Sequence, residues 1–196
     1  RNVRVWDNYI RQSMMMIGNA ACSIGPLYIW RNVASRAQWR PGDKGGYFLK
    51  MGFAGGEKWM TGHMYIFHNT IFDSGEYLPT GALGGSRIVK HTVSRNNIFQ
   101  VRSPNNRCAS ENENNVDNDF DYDLINGKVP DNQEPHAVRG VPVYVEGAGL
   151  DRDARRGRFQ LKPDSPGANA GVVIPNFTGS HVDDAPDIGA HQRGKP

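Results

Sequence analysis

One short pattern recurs along the chain: an apolar residue, two variable residues, an asparagine, one variable residue and a second apolar residue. Its polar position falls at Asn8, Asn32, Asn69, Asn96 and, with aspartate in place of asparagine, Asp123. The intervals are 24, 37, 27 and 27 residues. Three short strands with three turns need roughly two dozen residues, and such a repeat buries its apolar face only against neighbouring repeats. The pattern predicts an all-β chain of about five stacked repeats.

The asparagines have a physical role in such a stack, although asparagine is disfavoured inside ordinary strands. At each corner between strands the backbone leaves N–H and C=O groups unpaired. An inward-pointing asparagine offers both donors and acceptors, and it tolerates a left-handed φ. We therefore predict an asparagine ladder, in line and buried. The longer interval before Asn69 is expected to hold an insertion, with Trp39–Gly46 as the candidate.

The segments VRVWDNYI, MYIFHNTIF and TVSRNNIF resemble the asparagine turn of right-handed parallel β-helix proteins of the pectate-lyase-like superfamily. Later segments, NDFDYDLI, VRGVPVYVE, GRFQLKPDSPGANAG and PDIGAHQRG, follow the order seen at the C terminus of secreted bacterial members. The resemblance implies a parallel β-helix, a solenoid, at residues 1–125 and a C-terminal loop, strand and cap region at residues 126–196. It also implies a bacterial protein that is secreted, periplasmic or on the cell surface.

Three further expectations concern the ends, the cysteines and the membrane. Residues 1–10 already lie inside a repeat, so we expect an exposed apolar end that an N-terminal chain or subunit would complete. Cys22 and Cys108 are about three repeats apart, beyond the reach of a disulfide, and are expected to be buried free thiols. The sequence has no run of 18 apolar residues, so no membrane span is expected.

The resemblance implies a substrate groove along the strand that precedes each asparagine-bearing strand. Aligning the final glycines of Ser13–Gly18 and Tyr47–Gly52 pairs Met16 with Lys50 and Ile17 with Met51. Side chains alternate between the two faces of a strand. If Met15, Ile17, Leu49 and Met51 point inward, the outward-facing set is Met14, Met16, Phe48 and Lys50. The opposite phase stays open, and it would turn Lys50 inward, which is costly for a charge. Thr80–Arg87 is the corresponding segment of the next repeat, although its glycines leave the alignment open.

The charge distribution favours an anionic partner. The chain has 23 Lys and Arg against 20 Asp and Glu, a net charge of +3. One span is richer in basic residues than the rest and contains Arg31, Arg36, Arg40, Lys44, Lys50 and Lys58. Such an excess concentrates polyanions, and no nucleic-acid-binding motif is present. We expect an acidic polysaccharide to contact Phe48, Met16, Arg40 and Lys44.

For that substrate the expected reaction is β-elimination, which needs a base and neutralisation of the uronate carboxylate. Lys50 is the predicted base, with Arg87 or His63 as its partner. Two alternatives stay open. One is an inverting glycoside hydrolase, whose two carboxylates, about 6.5–9.5 Å apart, would come from Asp43, Glu57, Asp73 and Glu76. The other is a non-catalytic structural or adhesive subunit.

The metal requirement is left open by the sequence. The acidic run Glu111–Asp123 has the clustered oxygen ligands that Ca²⁺ prefers, but it lacks the spacing of a Ca²⁺-binding loop. A solvated turn that leads into the last repeat is the alternative interpretation of the same residues.

Overall fold

The computed structural model describes residues 2–11, 15–19, 25–35, 47–51, 62–72, 81–83, 90–101, 103–109, 117–145, 149–150 and 157–194. The regular structure within these ranges is entirely β, which confirms the predicted all-β class. Over the same ranges, no helix is long and apolar enough to cross a membrane.

Most strands belong to three parallel sheets, to which successive repeats add neighbouring strands. The five-stranded sheet contains β1 (Val3–Trp6), β4 (Leu27–Trp30), β7 (Met64–Phe67), β10 (Thr92–Arg95) and β12 (Asp119–Phe120). The six-stranded sheet contains β2 (Tyr9–Arg11), β5 (Val33–Ser35), β8 (Thr70–Phe72), β11 (Ile98–Gln100), β13 (Leu124–Ile125) and β14 (Val138–Arg139). The three-stranded sheet contains β3 (Met15–Asn19), β6 (Tyr47–Met51) and β9 (Gly81–Leu83). A separate antiparallel pair joins β15 (Gly149–Leu150) to β16 (Gly157–Arg158).

Alternating side chains explain how the five-stranded sheet forms. In β4, Leu27 and Ile29 are buried whereas Tyr28 and Trp30 are partly exposed, the pattern of a strand with one face on the core. Parallel pairing places Ile29 beside Ile66 of β7, so the apolar positions stack from one repeat to the next. The arrangement is consistent with a β-helix, and the sheet holds the five repeats that the sequence predicts.

The ladder is present as a directional chain of hydrogen bonds. Asn8 donates its backbone N–H and its side-chain amide to Oδ1 of Asn32, at 3.1 and 2.9 Å. Asn32 donates the same two groups to Asn69, at 3.0 and 3.0 Å. Asn69 donates them to Asn97 at 2.8 and 2.8 Å, and Asn97 donates them to Asp123 at 2.6 and 3.0 Å. Each Oδ1 therefore satisfies two donors of the preceding repeat.

Two details of the predicted ladder are wrong. The fourth member is Asn97, not Asn96, because Ser94 rather than Val93 stacks on Ile66 and points inward. Asn8 is exposed rather than buried, since it bonds to the ladder on the Asn32 side and faces solvent on the other.

In each repeat, the residue directly before the ladder position has a left-handed backbone conformation. The residues with positive φ at these corners are Asp7, Arg31, His68, Asn96 and Tyr122. Asn96 therefore occupies the turn, where asparagine is favoured in a left-handed conformation. Its side chain faces the C-terminal segment and bonds both the backbone N–H and the carbonyl of Val172, at 2.9 and 2.7 Å.

The three-stranded sheet confirms that Met15–Asn19 and Tyr47–Met51 are neighbouring strands, but the predicted register is wrong. Ile17 pairs with Leu49 rather than with Met51, and Lys50 pairs with Gly18. The glycine alignment misplaced the strands by two residues, which keeps every side chain on the same face. Gly81–Leu83 of the third candidate segment continues this sheet.

The last repeat is covered by residues 130–137, which lie within the region predicted to contain a cap. The backbone N–H of Glu134 donates to the carbonyl of Phe120 at 2.7 Å, in the manner of another strand. Asp123 donates its N–H to the Glu134 carboxyl at 3.4 Å, so Glu134 adds one more step to the ladder. Both carboxyl groups are buried, and burial raises both pKa values.

The chain from residue 157 to residue 194 runs back along the side of the repeats. Gly189 donates its N–H to the carbonyl of Asn96 at 2.7 Å, and Ala190 donates to Oγ1 of Thr70 at 3.0 Å. Gly189 has a φ of 108°, and a Cβ there would lie 2.7 Å from the Ile98 side chain. A glycine at this position therefore permits the close approach.

Two other expectations fall within the described residues. Val3 and Trp6 of the first repeat are 50% and 52% exposed, so the expected exposed apolar side chains are present. The chain expected to cover them stays a prediction. Cys108 is a buried free thiol, as expected, and burial raises its pKa to about 12. Cys22 lies outside the described residues.

The ladder predicts that Asn69→Leu lowers the free energy of unfolding by about 1–3 kcal/mol, because two donors of Asn32 and the carbonyls of Ile29 and Phe67 lose their partners. Asn8→Leu is the matched control and should cost less, since Asn8 is exposed. Urea denaturation measures both. Equal losses in the two variants would contradict the ladder's role in stability.

The buried carboxyl pair predicts a stability that falls as pH rises. The raised pKa of Glu134 means that the folded state holds a proton that the unfolded chain releases above about pH 4.5. Glu134→Gln keeps the shape of the side chain and removes that proton. We expect the unfolding free energy of the variant to decline less steeply above this pH than that of the wild type. Denaturation at several pH values measures both declines. An unchanged decline would exclude Glu134 as its source.

Candidate functional site

The residues predicted from the groove strand are only partly described. Lys50 and Met16 lie in β6 and β3, but the positions of their side chains are not described. Arg40, Lys44 and Arg87 lie outside the described residues. The carboxylates considered for hydrolysis also lie outside them, namely Asp43, Glu57, Asp73 and Glu76.

Phe48 is not the exposed residue that the sequence predicts. It is fully buried, as is its neighbour Leu49. Successive side chains of a strand point to opposite faces, so β6 is covered on both faces at this point. A buried Phe48 offers no surface to a polysaccharide, which corrects the predicted outward-facing set.

The outer face of the five-stranded sheet carries a row of stacked aromatic rings. Tyr28 and Tyr65 pair across β4 and β7, with ring centroids 5.1 Å apart and planes inclined by 15°. His63 extends the row beyond Tyr65, at 6.1 Å and 14°. Tyr28 and Tyr65 are half-buried and His63 is exposed, so solvent reaches the row. We call these three residues the aromatic row.

A second group of rings on this face contacts the C-terminal segment through Phe177. Trp6 and Trp30 stack at 5.1 Å, and Phe177 meets Trp30 edge-on at 5.4 Å. Phe177 also contacts Phe67 at 5.1 Å and Tyr28 at 5.3 Å. These contacts hold the C-terminal segment against the sheet, so the second group of rings has a structural role. Of the aromatic row, Tyr28 takes part in this role through its contact with Phe177.

Three ionisable side chains converge at the open edge of the aromatic row. Nδ1 of His91 lies 2.9 Å from Oδ2 of Asp117, and Nε2 of His63 lies 3.8 Å from the same oxygen. The two imidazole rings are 5.3 Å apart. One ligand atom from each residue lies within 4.8 Å of the other two. We call this group the His–His–Asp cluster.

The electrostatics of the His–His–Asp cluster favour an ionised carboxylate. The hydrogen bond with His91 and the two neighbouring imidazoles lower the pKa of Asp117. An ionised carboxylate only accepts hydrogen bonds, so Nδ1 of His91 carries the proton between them. The arrangement can hold a proton beside a bound molecule or coordinate a cation.

The other aspartates of the acidic run are engaged by the protein. Asp119 pairs with Arg95, whose guanidinium also lies 6.0 Å from the centre of the Tyr122 ring. Asp121 is hydrogen-bonded to His136, and Asp123 ends in the ladder. Residues 111–116 are outside the described ranges, so Ca²⁺ binding by this run stays a prediction.

A pocket of about 370 Å³ lies between the corners of the first two repeats and the C-terminal segment. Asp7 and Arg31 line it from the corners, and Arg158, Gln160 and His191 line it from the segment. Nδ1 of His191 accepts a hydrogen bond from the backbone N–H of Phe159 at 2.9 Å. Burial, the main cause, lowers the pKa of His191, which keeps the ring neutral. Two arginines give the pocket a site for an anionic group.

The sequence contains a signal for the His–His–Asp cluster that the prediction missed. Each member stands six residues before a ladder residue: His63 before Asn69, His91 before Asn97 and Asp117 before Asp123. Taking Asn96 as the ladder residue breaks this equality and conceals the equivalence of His91 with His63. His63 is the one predicted catalytic residue whose side chain the described structure places in an exposed cluster.

Comparisons with models of protein families, with curated proteins and with solved structures found no match. The resemblance to the pectate-lyase-like superfamily therefore remains a prediction from the motifs.

Proposed function

We propose that this protein is a right-handed parallel β-helix that binds an acidic polysaccharide outside the bacterial cell and cleaves it by β-elimination. The observation that supports it best is the aromatic row, which is exposed to solvent and ends at the ionisable His–His–Asp cluster.

Aromatic rings suit a sugar polymer because pyranose rings have apolar C–H faces and polar edges. Tyrosine and histidine offer a flat apolar surface together with a polar group that stays hydrated. The Tyr28 and Tyr65 rings stack across neighbouring strands at 5.1 Å, so a chain lying across the sheet meets one ring in the second repeat and another in the third. This repetition favours a polymer over a single small sugar.

The preference for an acidic polymer is supported by positive charge near the repeats. Arg31 and Arg158 line one pocket, and the sequence has a basic excess around Arg40, Lys44 and Lys50. A guanidinium binds a uronate carboxylate with two parallel hydrogen bonds. Such contacts orient the sugar and hold its charge.

Elimination requires a base near C5 of the uronic acid and a positive group at its carboxylate. We propose Lys50 as the base and retain Arg87 and His63 as its partners. His63 immediately precedes β7 and stands 13 residues after Lys50 in the chain. Met16, Arg40 and Lys44 remain proposed contacts for the polymer.

The aromatic row predicts that Tyr65→Ala weakens binding to polyuronates about three- to tenfold, because a stacking surface is lost. Isothermal titration calorimetry on the full chain measures the affinity. Tyr122→Ala is the matched control, since Tyr122 also stacks on a histidine, His136, but lies away from the aromatic row. Equal losses in both variants would contradict a binding role for Tyr65.

The reaction type is tested on the same polymers. A lyase yields products with a new double bond and ultraviolet absorbance, whereas a hydrolase yields reducing ends without that absorbance. Lys50→Ala should abolish the absorbance change with little loss of stability. Unchanged turnover would remove Lys50 from the mechanism. Absence of binding to every polyuronate would favour the structural or adhesive alternative.

A further inference from the structure

We propose that His63, His91 and Asp117 form a binding site for a divalent transition-metal ion, and that Zn²⁺ suits the donors best. The site shares His63 with the proposed elimination activity, but the proposal rests on the geometry of three side chains on the described surface and is tested by metal binding alone.

The first argument is convergence. The three residues occupy equivalent positions in consecutive repeats, since Met64 pairs with Thr92 and Val93 pairs with Asp119. Neighbouring parallel strands are about 4.8 Å apart, so the backbones of the first and third residues are about 10 Å apart. Nevertheless, Nε2 of His63 reaches to 3.8 Å from Oδ2 of Asp117. The side chains therefore lean towards one point instead of standing parallel.

The second argument is the separation of the donor atoms. Zinc bound tetrahedrally at about 2.0–2.1 Å has its ligand atoms about 3.3 Å from one another. The separations of 2.9 and 3.8 Å lie on either side of this value, and all three ligand atoms lie within 4.8 Å. Small side-chain rotations are sufficient to place an ion between them.

The third argument is ligand chemistry. Two imidazoles and one carboxylate form a ligand set that zinc binds in proteins, with a fourth position free for water or a ligand atom. Ca²⁺ prefers six to eight oxygen ligands, so it suits this set poorly. Coordination through Nδ1 of His91 requires the tautomer of the neutral ring that carries its proton on Nε2.

The surroundings hold the ligands in place without blocking them. The His63 ring stacks on Tyr65, and His91 and Asp117 both have left-handed backbones, with φ of 51° and 57°. The side chains of His63 and Asp117 are 51% and 65% exposed, so an ion reaches them from solvent.

A second histidine–aspartate pair provides a comparison within the same chain. Nδ1 of His136 lies 2.7 Å from Asp121, but this carboxylate also accepts backbone N–H bonds from Tyr122 and His136, at 2.9 and 2.7 Å. It is also largely buried. Asp121 thus fixes a turn, and His136 serves as the matched control for His91.

The experiment is calorimetric titration of the tag-free full chain with zinc chloride. We expect one saturable site per chain, an affinity reduced about tenfold or more by His91→Ala or by Asp117→Asn, and wild-type affinity in His136→Ala. Circular dichroism verifies that each variant is folded. Absence of a saturable site, or equal loss in the His136→Ala control, would overturn the proposal.

Cobalt and calcium titrations distinguish a built site from weak surface binding. Co²⁺ bound at the cluster should show visible absorption bands that zinc abolishes by displacement and that His63→Ala removes. Calcium chloride in excess should leave zinc binding unchanged. Displacement of zinc by calcium, or cobalt bands that persist in both His63→Ala and His91→Ala, would contradict the assignment.

Discussion

The hydrogen bonds accepted by the ladder side chains determine much of this structure. Each corner turns the chain through a left-handed residue and leaves a backbone N–H pointing into the interior. Oδ1 of Asn69 accepts such an N–H from Asn32, and Asn69 in turn donates to Asn97. Because a one-residue slip would turn these side chains outward, the ladder fixes the register of the sheets on both sides of the corner. Where the ladder ends, Asp123 and Glu134 provide acceptors, and burial raises the pKa of both carboxyl groups, which favours their protonated forms and limits the buried charge.

The same ladder shows how far the sequence alone can be used. The repeat and the all-β class could be predicted because the apolar and asparagine positions recur. The choice between Asn96 and Asn97 could not, since asparagine suits both the left-handed turn and the ladder. The inward residue of that repeat is Ser94, whose hydroxyl is satisfied by Asp123, a residue of the next repeat. Hydrogen-bond partners that lie this far apart in the sequence determine the register. A local sequence pattern carries no information about such partners.

The sequence predicted the burial of side chains in the three-stranded sheet less well than the face of the sheet on which they lie. Alternation correctly placed Ile17 and Leu49 on one face of the three-stranded sheet, although the pairing was displaced by two residues. It also placed Phe48 on the opposite face, where exposure was expected and full burial is found. Alternation indicates which face a side chain takes, whereas coverage of that face depends on segments packed from elsewhere in the chain. Such packing leaves no periodic signal.

The C-terminal segment packs on part of the outer face of the five-stranded sheet and so determines which rings of that face can bind a ligand. Phe177 lies against Trp30 and Phe67, and Phe67 is buried, while Tyr65 is partly exposed and His63 is exposed. Stacked repeats place equivalent side chains side by side on every face, so a row of rings or of ligands arises wherever similar residues recur. Such a row can form a binding site only where no other segment packs on it. Its members must also include different chemical groups that can bind a ligand together. Within the described part of the chain the open edge meets both conditions, because the third repeat adds His63 and the fifth adds Asp117 at equivalent positions.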